Sequence, residues 1–84
     1  DLQCALGRAQ LKRLKHWVAR RQEISARYDA AFAGLNGVRP LVTRHDRTHA
    51  RHLYVIRLDG ISRNAAFQSL REKGIGANVH YAPV

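Results

Sequence analysis

Apolar and polar positions follow a helical period along the first third of the chain. Leu11, Leu14, Trp17 and Val18, then Ile24, Tyr28, Ala31, Phe32 and Leu35, succeed one another mostly at steps of three and four, close to a stripe on one helical face. Ala, Leu, Arg and Gln predominate from Leu2 to Leu35 and no proline interrupts them, so helix propensity is high throughout. Arg21 breaks the stripe. Either its aliphatic stem lies along the apolar face with the guanidinium in water, or the helix bends there. "GLNGVRP" closes the segment, with Gly34 or Gly37 available for a left-handed cap and Pro40 beyond.

The period then changes. Val38 to Thr43 is a short run carrying Pro40, which suits an edge strand. "RHDRTHAR" is a polar loop. "HLYVIRLD" has strand composition, with Leu53 and Val55 on one face and Tyr54, Ile56 and Leu58 on the other, the pattern of an inner strand covered on both sides. Ser62 is a good N-cap for a helix from Arg63 to Lys73, whose buried face is Ala66, Phe67 and Leu70 and which Gly74 ends. A last strand is expected from Ala77 to Tyr81. The predicted fold class is α+β, a long N-terminal helix and a second helix against a small, mostly antiparallel sheet of about three strands.

One magnitude qualifies this picture. A continuous helix of about 34 residues is about 50 Å long, whereas a compact chain of this length has a radius of gyration near 12 Å, hence a diameter of about 30 Å. Either the helix is broken near Gly7 to Leu11, or it overhangs and rests on protein outside this sequence.

Composition changes the picture in two ways. A chain of 84 residues makes one small domain that buries only about 60% of its unfolded surface, so its stability alone is marginal. The single cysteine, Cys4, excludes an internal disulfide framework, and a cytoplasmic location is expected. No apolar run approaches a membrane span and "DLQCALGRAQ" lacks a signal peptide's pattern. The net charge of +9 comes from 15 Lys and Arg, spread from Arg8 to Lys73 rather than gathered in a block. That distribution reads as solvated, arginine-rich faces, without the signature of an RNA-recognition or zinc-finger module.

Candidate chemistry is sparse. His45, His49 and His52 with Asp46 have ligand-type side chains, but they lie in an inter-strand loop, where helical spacing has no geometric meaning, and neighbouring arginines disfavour a cation. No metal site is expected. Cys4 reads as a small structural residue rather than a nucleophile. No nucleophile elbow, Walker loop or dinucleotide fingerprint is present. In "GIGANVHYAPV", His80 and Tyr81 set an imidazole beside a phenol; on composition alone Tyr81 is a core residue and His80 a surface one.

Taken together, "QCALGRAQLKRL", "ARRQEISARYDAAFAGL", "HLYVIRLD" and "KGIGANVHYAPV" resemble, in order and spacing, the C-terminal part of the DegT/DnrJ/StrS family of sugar-nucleotide aminotransferases. The resemblance covers nearly all 84 residues, and "HLYVI" followed by "NVHYAPV" is most similar to the family's pseudaminic acid branch. It implies a pyridoxal phosphate enzyme, working as a homodimer, that transfers an amino group from glutamate to a 4-keto sugar nucleotide. By the same resemblance the chain is part of the small C-terminal domain. The lysine that holds the cofactor lies in the large domain, and none of Lys12, Lys15 and Lys73 stands in its motif. The fragment alone is thus expected to be inactive. Asn78, Val79, His80 and Tyr81 match the family's segment bordering the sugar-nucleotide site, and the resemblance alone gives them that role. The rival expectation is a freestanding basic module that docks on RNA or another acidic partner, recognised by salt-sensitive binding.

Overall fold

The computed structural model describes residues 1–79, in the order α1 (Leu2–Phe32), β1 (Val38–Pro40), β2 (Ile56–Leu58) and α2 (Arg63–Glu72). The class is α+β, as the pattern predicts. Asp1 caps α1 by accepting the amide of Cys4 on Oδ1 at 2.8 Å, which satisfies one of the free N–H groups of the first turn. The helix then runs unbroken for 31 residues, through Gly7 and past Arg21, a length of about 46 Å at the rise of an α-helix. Arg21 causes no break because its side chain leaves the apolar stripe, reaching His52 Nδ1 at 3.3 Å. The helix stops at Phe32 rather than Leu35, and Gly34 and Gly37 both adopt positive φ, 82° and 81°.

Gly37 is the position where glycine is required. A Cβ there would lie 2.7 Å from Ile61 Cδ1 and 2.9 Å from the Asp59 carbonyl oxygen. Its own carbonyl accepts the amide of Asp59 at 2.9 Å, extending at its open end the hairpin in which β1 and β2 pair antiparallel, Val38 with Leu58 and Pro40 with Ile56. The central pair sets Arg39 opposite Arg57, an unfavourable like-charge juxtaposition. Asp59 relieves it by taking both arms of the Arg39 guanidinium, one at 2.9 Å.

The strands depart from expectation. Among the described residues the sheet has two strands, not three. Residues 77–79 of the expected last strand are irregular, and its His80 and Tyr81 lie outside the described residues. The ladder ends at the pair of Pro40 with Ile56. "HLYVIRLD" is a strand only over Ile56–Leu58. Its first half is not an inner strand: Leu53 and Val55 remain 44% and 43% exposed, because no second layer covers them.

Ser62 caps α2 by accepting the amide of Ala65, and Ala66, Phe67 and Leu70 form its half-buried face. At the other end Ile75 N–H reaches the Leu70 carbonyl and Gly74 N–H that of Arg71, at 2.9 and 3.0 Å. This is a Schellman closure around the left-handed Gly74, φ 77°.

The described residues have no fully buried hydrophobic side chain, and Ser25 is the single buried residue. The radius of gyration is 16.5 Å and the longest dimension 51 Å, well beyond the radius of about 12 Å of a compact chain of this length. The shape is that of a long helix carrying a hairpin and a short helix near one end.

Candidate functional site

The second half of α1 and the loop between the strands meet in the most chemically varied part of the molecule. The loop leaves β1 at Pro40, has no regular structure until β2, and is tied to α1 by polar contacts. Gln22 Nε2 donates to the His49 carbonyl at 3.1 Å and the Tyr54 hydroxyl donates to Asp29 Oδ1 at 2.6 Å. Tyr54 is also packed against Tyr28 and Phe32, with ring centroids 5.0 and 6.1 Å away. Burial, then the hydrogen bond to the Asp29 carboxylate and its negative charge, push the Tyr54 phenol up to about 12. It is held as a neutral donor, and it fixes the direction of the Asp29 carboxylate.

Asp29 in turn faces Arg51, whose Nη2 lies 3.8 Å from Asp29 Oδ2. Arg51 has φ 55°, the left-handed region that non-glycine residues rarely occupy. Its amide donates to His49 Nδ1 at 2.8 Å, which leaves the neutral imidazole's proton on Nε2. Arg44 gives both arms to Asp46, at 3.1 and 2.9 Å, and Arg47 approaches the same carboxylate only to 3.7 Å.

Two adjoining recesses open between these groups. One, of about 400 Å³, lies within the loop and is lined in part by Thr43, Arg44 and Arg47. The other, of about 270 Å³, lies between loop and helix, where Gln22, Ser25 and Asp29 meet Arg47, His49 and Arg51. Thr43, Arg47, Thr48 and His49 line both.

Of the residues that the family resemblance singles out, Asn78 and Val79 lie elsewhere. Asn78 and Val79 follow α2 on an exposed, irregular stretch that begins with a tight turn in which Ala77 N–H donates to the Ile75 carbonyl at 2.8 Å. His80 and Tyr81 lie outside the described residues. Neither Asn78 nor Val79 lines either recess. The sequence pointed to the loop only as a histidine cluster, and among the described residues no group of three or more His, Cys, Asp or Glu converges as metal ligands. The arginines and threonines of "VTRHDRTHAR" read as ordinary loop residues, and nothing local signals that Ser25 and Asp29 come to face them.

Nor do the described residues fit pyridoxal phosphate. Lys12 and Lys15 sit on the exposed first half of α1 and Lys73 is exposed after α2; neither recess is lined by a lysine. No reaction step is placed on these residues.

Comparison with known proteins addresses the whole chain. The family model described as the DegT/DnrJ/EryC1/StrS aminotransferase family matches residues 1–84. The spore coat polysaccharide biosynthesis protein SpsC of Bacillus subtilis (strain 168) is 42% identical over 89 aligned residues, which take in 100% of this chain and 23% of SpsC. The chain thus spans about a quarter of the length of that relative. No solved structure matches it.

Proposed function

Because the chain belongs to the DegT/DnrJ/EryC1/StrS aminotransferase family, we propose that it is the small C-terminal domain of a sugar-nucleotide aminotransferase. The complete protein then uses pyridoxal phosphate to move an amino group from glutamate to a 4-keto-6-deoxy sugar nucleotide, for a bacterial surface polysaccharide or nonulosonic acid. The cofactor serves as the electron sink and the protein supplies orientation and proton transfer. The observation that carries this reading is the family match over every residue, including the "GIGANVHYAPV" tail. The polysaccharide role in the printed name of SpsC supports the substrate class. The narrower likeness to the pseudaminic acid branch rests on "HLYVI" and "NVHYAPV" alone.

In this reading the exposed first half of α1 packs on the remainder of the enzyme, which works in the cytoplasm as a homodimer. No helix among the described residues is long and apolar enough to cross a membrane. Asn78, Val79, His80 and Tyr81 border the sugar-nucleotide site, completed by the large domain, and the cofactor's lysine lies in that large domain.

The test is amino transfer by the complete protein from ¹⁵N-glutamate to a panel of 4-keto sugar nucleotides, read by mass spectrometry. Labelled amino sugar nucleotide is the expected product, and the panel member that turns over names the branch. A complete protein that moves no label onto any of them contradicts the proposal and restores the rival, an arginine-rich module for RNA. Within an active enzyme, His80→Ala and Tyr81→Phe raise KM or lower kcat without unfolding it; unchanged kinetics remove both from the site.

A further inference from the structure

Arg51 is the most enclosed charge near the recesses. Its side chain is 17% exposed, and the carboxylate beside it, on Asp29, is 3.8 Å away, beyond hydrogen-bond distance. Asp29 Oδ1 is already taken by the Tyr54 hydroxyl. A guanidinium largely withdrawn from water needs oxygen acceptors, because a charge moved out of water without them is costly. Arg47, 66% exposed, presents a second guanidinium to the same space and is paired with Asp46 only at 3.7 Å.

Ser25 supplies an independent observation. It is 3% exposed, it lines the recess between loop and helix, and its hydroxyl has no hydrogen-bond partner. Buried hydroxyls are normally paired, and one rotation about its Cα–Cβ bond re-aims this donor. Thr43, Thr48 and the Nε2–H of His49 add donors from the loop side. Guanidinium, hydroxyl and imidazole groups thus line this open recess from both its helix side and its loop side. A tetrahedral, multiply charged oxyanion matches them. The Asp29 carboxylate also lines the recess and opposes an anion; Arg51, 3.8 Å from its Oδ2, balances that charge, so the net positive charge of the recess comes from Arg47.

We infer that the recess between α1 and the strand-connecting loop binds a phosphate group, held by Arg47 and Arg51 with the Ser25 hydroxyl as donor. The source is either a lone phosphate or the diphosphate of a nucleotide. The inference does not rest on the transamination reading, since binding is measured without turnover.

The test is isothermal titration calorimetry of the complete protein with inorganic phosphate and, separately, with inorganic pyrophosphate. Arg47→Gln is compared with Arg63→Gln, the same charge change at the start of α2, which lines neither recess. Arg47→Gln is expected to weaken binding about tenfold or more, the weight of a charge-assisted hydrogen bond, and Ser25→Ala about fivefold, while Arg63→Gln leaves the Kd within about twofold. Loss for both probes identifies a single phosphate as sufficient, and loss confined to pyrophosphate identifies a diphosphate; either supports the site. Equal Kd values for Arg47→Gln and Arg63→Gln with both probes overturn it. Wild-type melting temperatures in all variants exclude unfolding as the cause.

Discussion

The two halves of α1 have the same helix-forming composition and opposite surroundings. Every residue from Asp1 to His16 is exposed, including Leu2 at 88%. The second half holds the aromatic stack of Tyr28, Phe32 and Tyr54, the buried Ser25 and the contacts of Arg21, Gln22 and Asp29 with the loop. Intrinsic propensity and the Asp1 cap suffice to define the helix, but an isolated helix in water gains little from propensity alone. The docked half shows how such a helix is stabilised, by apolar burial and satisfied polar groups. The free half has the leucines for the same role and lacks the partner surface.

The largest expected effect breaks the docked half from below. Gly37→Ala places a Cβ against the Asp59 carbonyl in a left-handed conformation, costing about 1–2 kcal/mol for the backbone alone with the collision added. Denaturant unfolding of the complete protein reads it, and an unchanged midpoint would show that the hairpin does not anchor α1.

Next comes the cap. Asp1→Ala removes the acceptor of the Cys4 amide and costs about 1 kcal/mol, expected as faster amide exchange confined to the first turns of α1. Faster exchange spreading to residues 21–32 would mean that the two halves do not behave separately.

Smaller still is the alkaline limit of the docked half. Tyr54 titrates at about 12 instead of 10.0, so its neutral form is favoured by folding. Its contribution is complete below pH 10 and is lost as pH rises toward 12. Absorbance titration at 295 nm should show a late-ionising tyrosine step, and Tyr54→Phe should remove that step. A late step that survives the substitution refutes the assignment.

The smallest effect lies in acid. The hydrogen bonds and charge of Arg39 hold the Asp59 carboxyl below its ordinary 3.8. The bond's contribution is therefore present above pH 3.8 and lost as pH falls through the lower folded value. Both groups are solvent-exposed, so Asp59→Asn should flatten that acid limb only slightly; a large loss at neutral pH would contradict a surface role.

Helices and caps were legible because their signals are local: Ser62 before Arg63, Gly74 after Lys73 and the stripe on α1 each act within a few residues. The strands were less so. "HLYVIRLD" has two apolar faces, yet Tyr54 is drawn to Asp29 and Tyr28, so pairing starts only at Ile56. The phosphate recess was illegible, because it joins Ser25 on a helix to Arg47 and Arg51 on a loop, and no periodicity encodes that meeting. Asn78 and Val79 came to notice through family resemblance and not through any pattern of their own.

The central claim is that α1 is a shared element, one half docked on its own hairpin and the other on the rest of the aminotransferase. Hydrogen–deuterium exchange on the complete protein tests it most directly. The account predicts that peptides covering residues 2–16 are protected as strongly as those covering 21–32. Exchange of residues 2–16 faster by about a hundredfold or more, a gap of about 2.7 kcal/mol in local stability, would show a helix end standing free in water and would contradict the account.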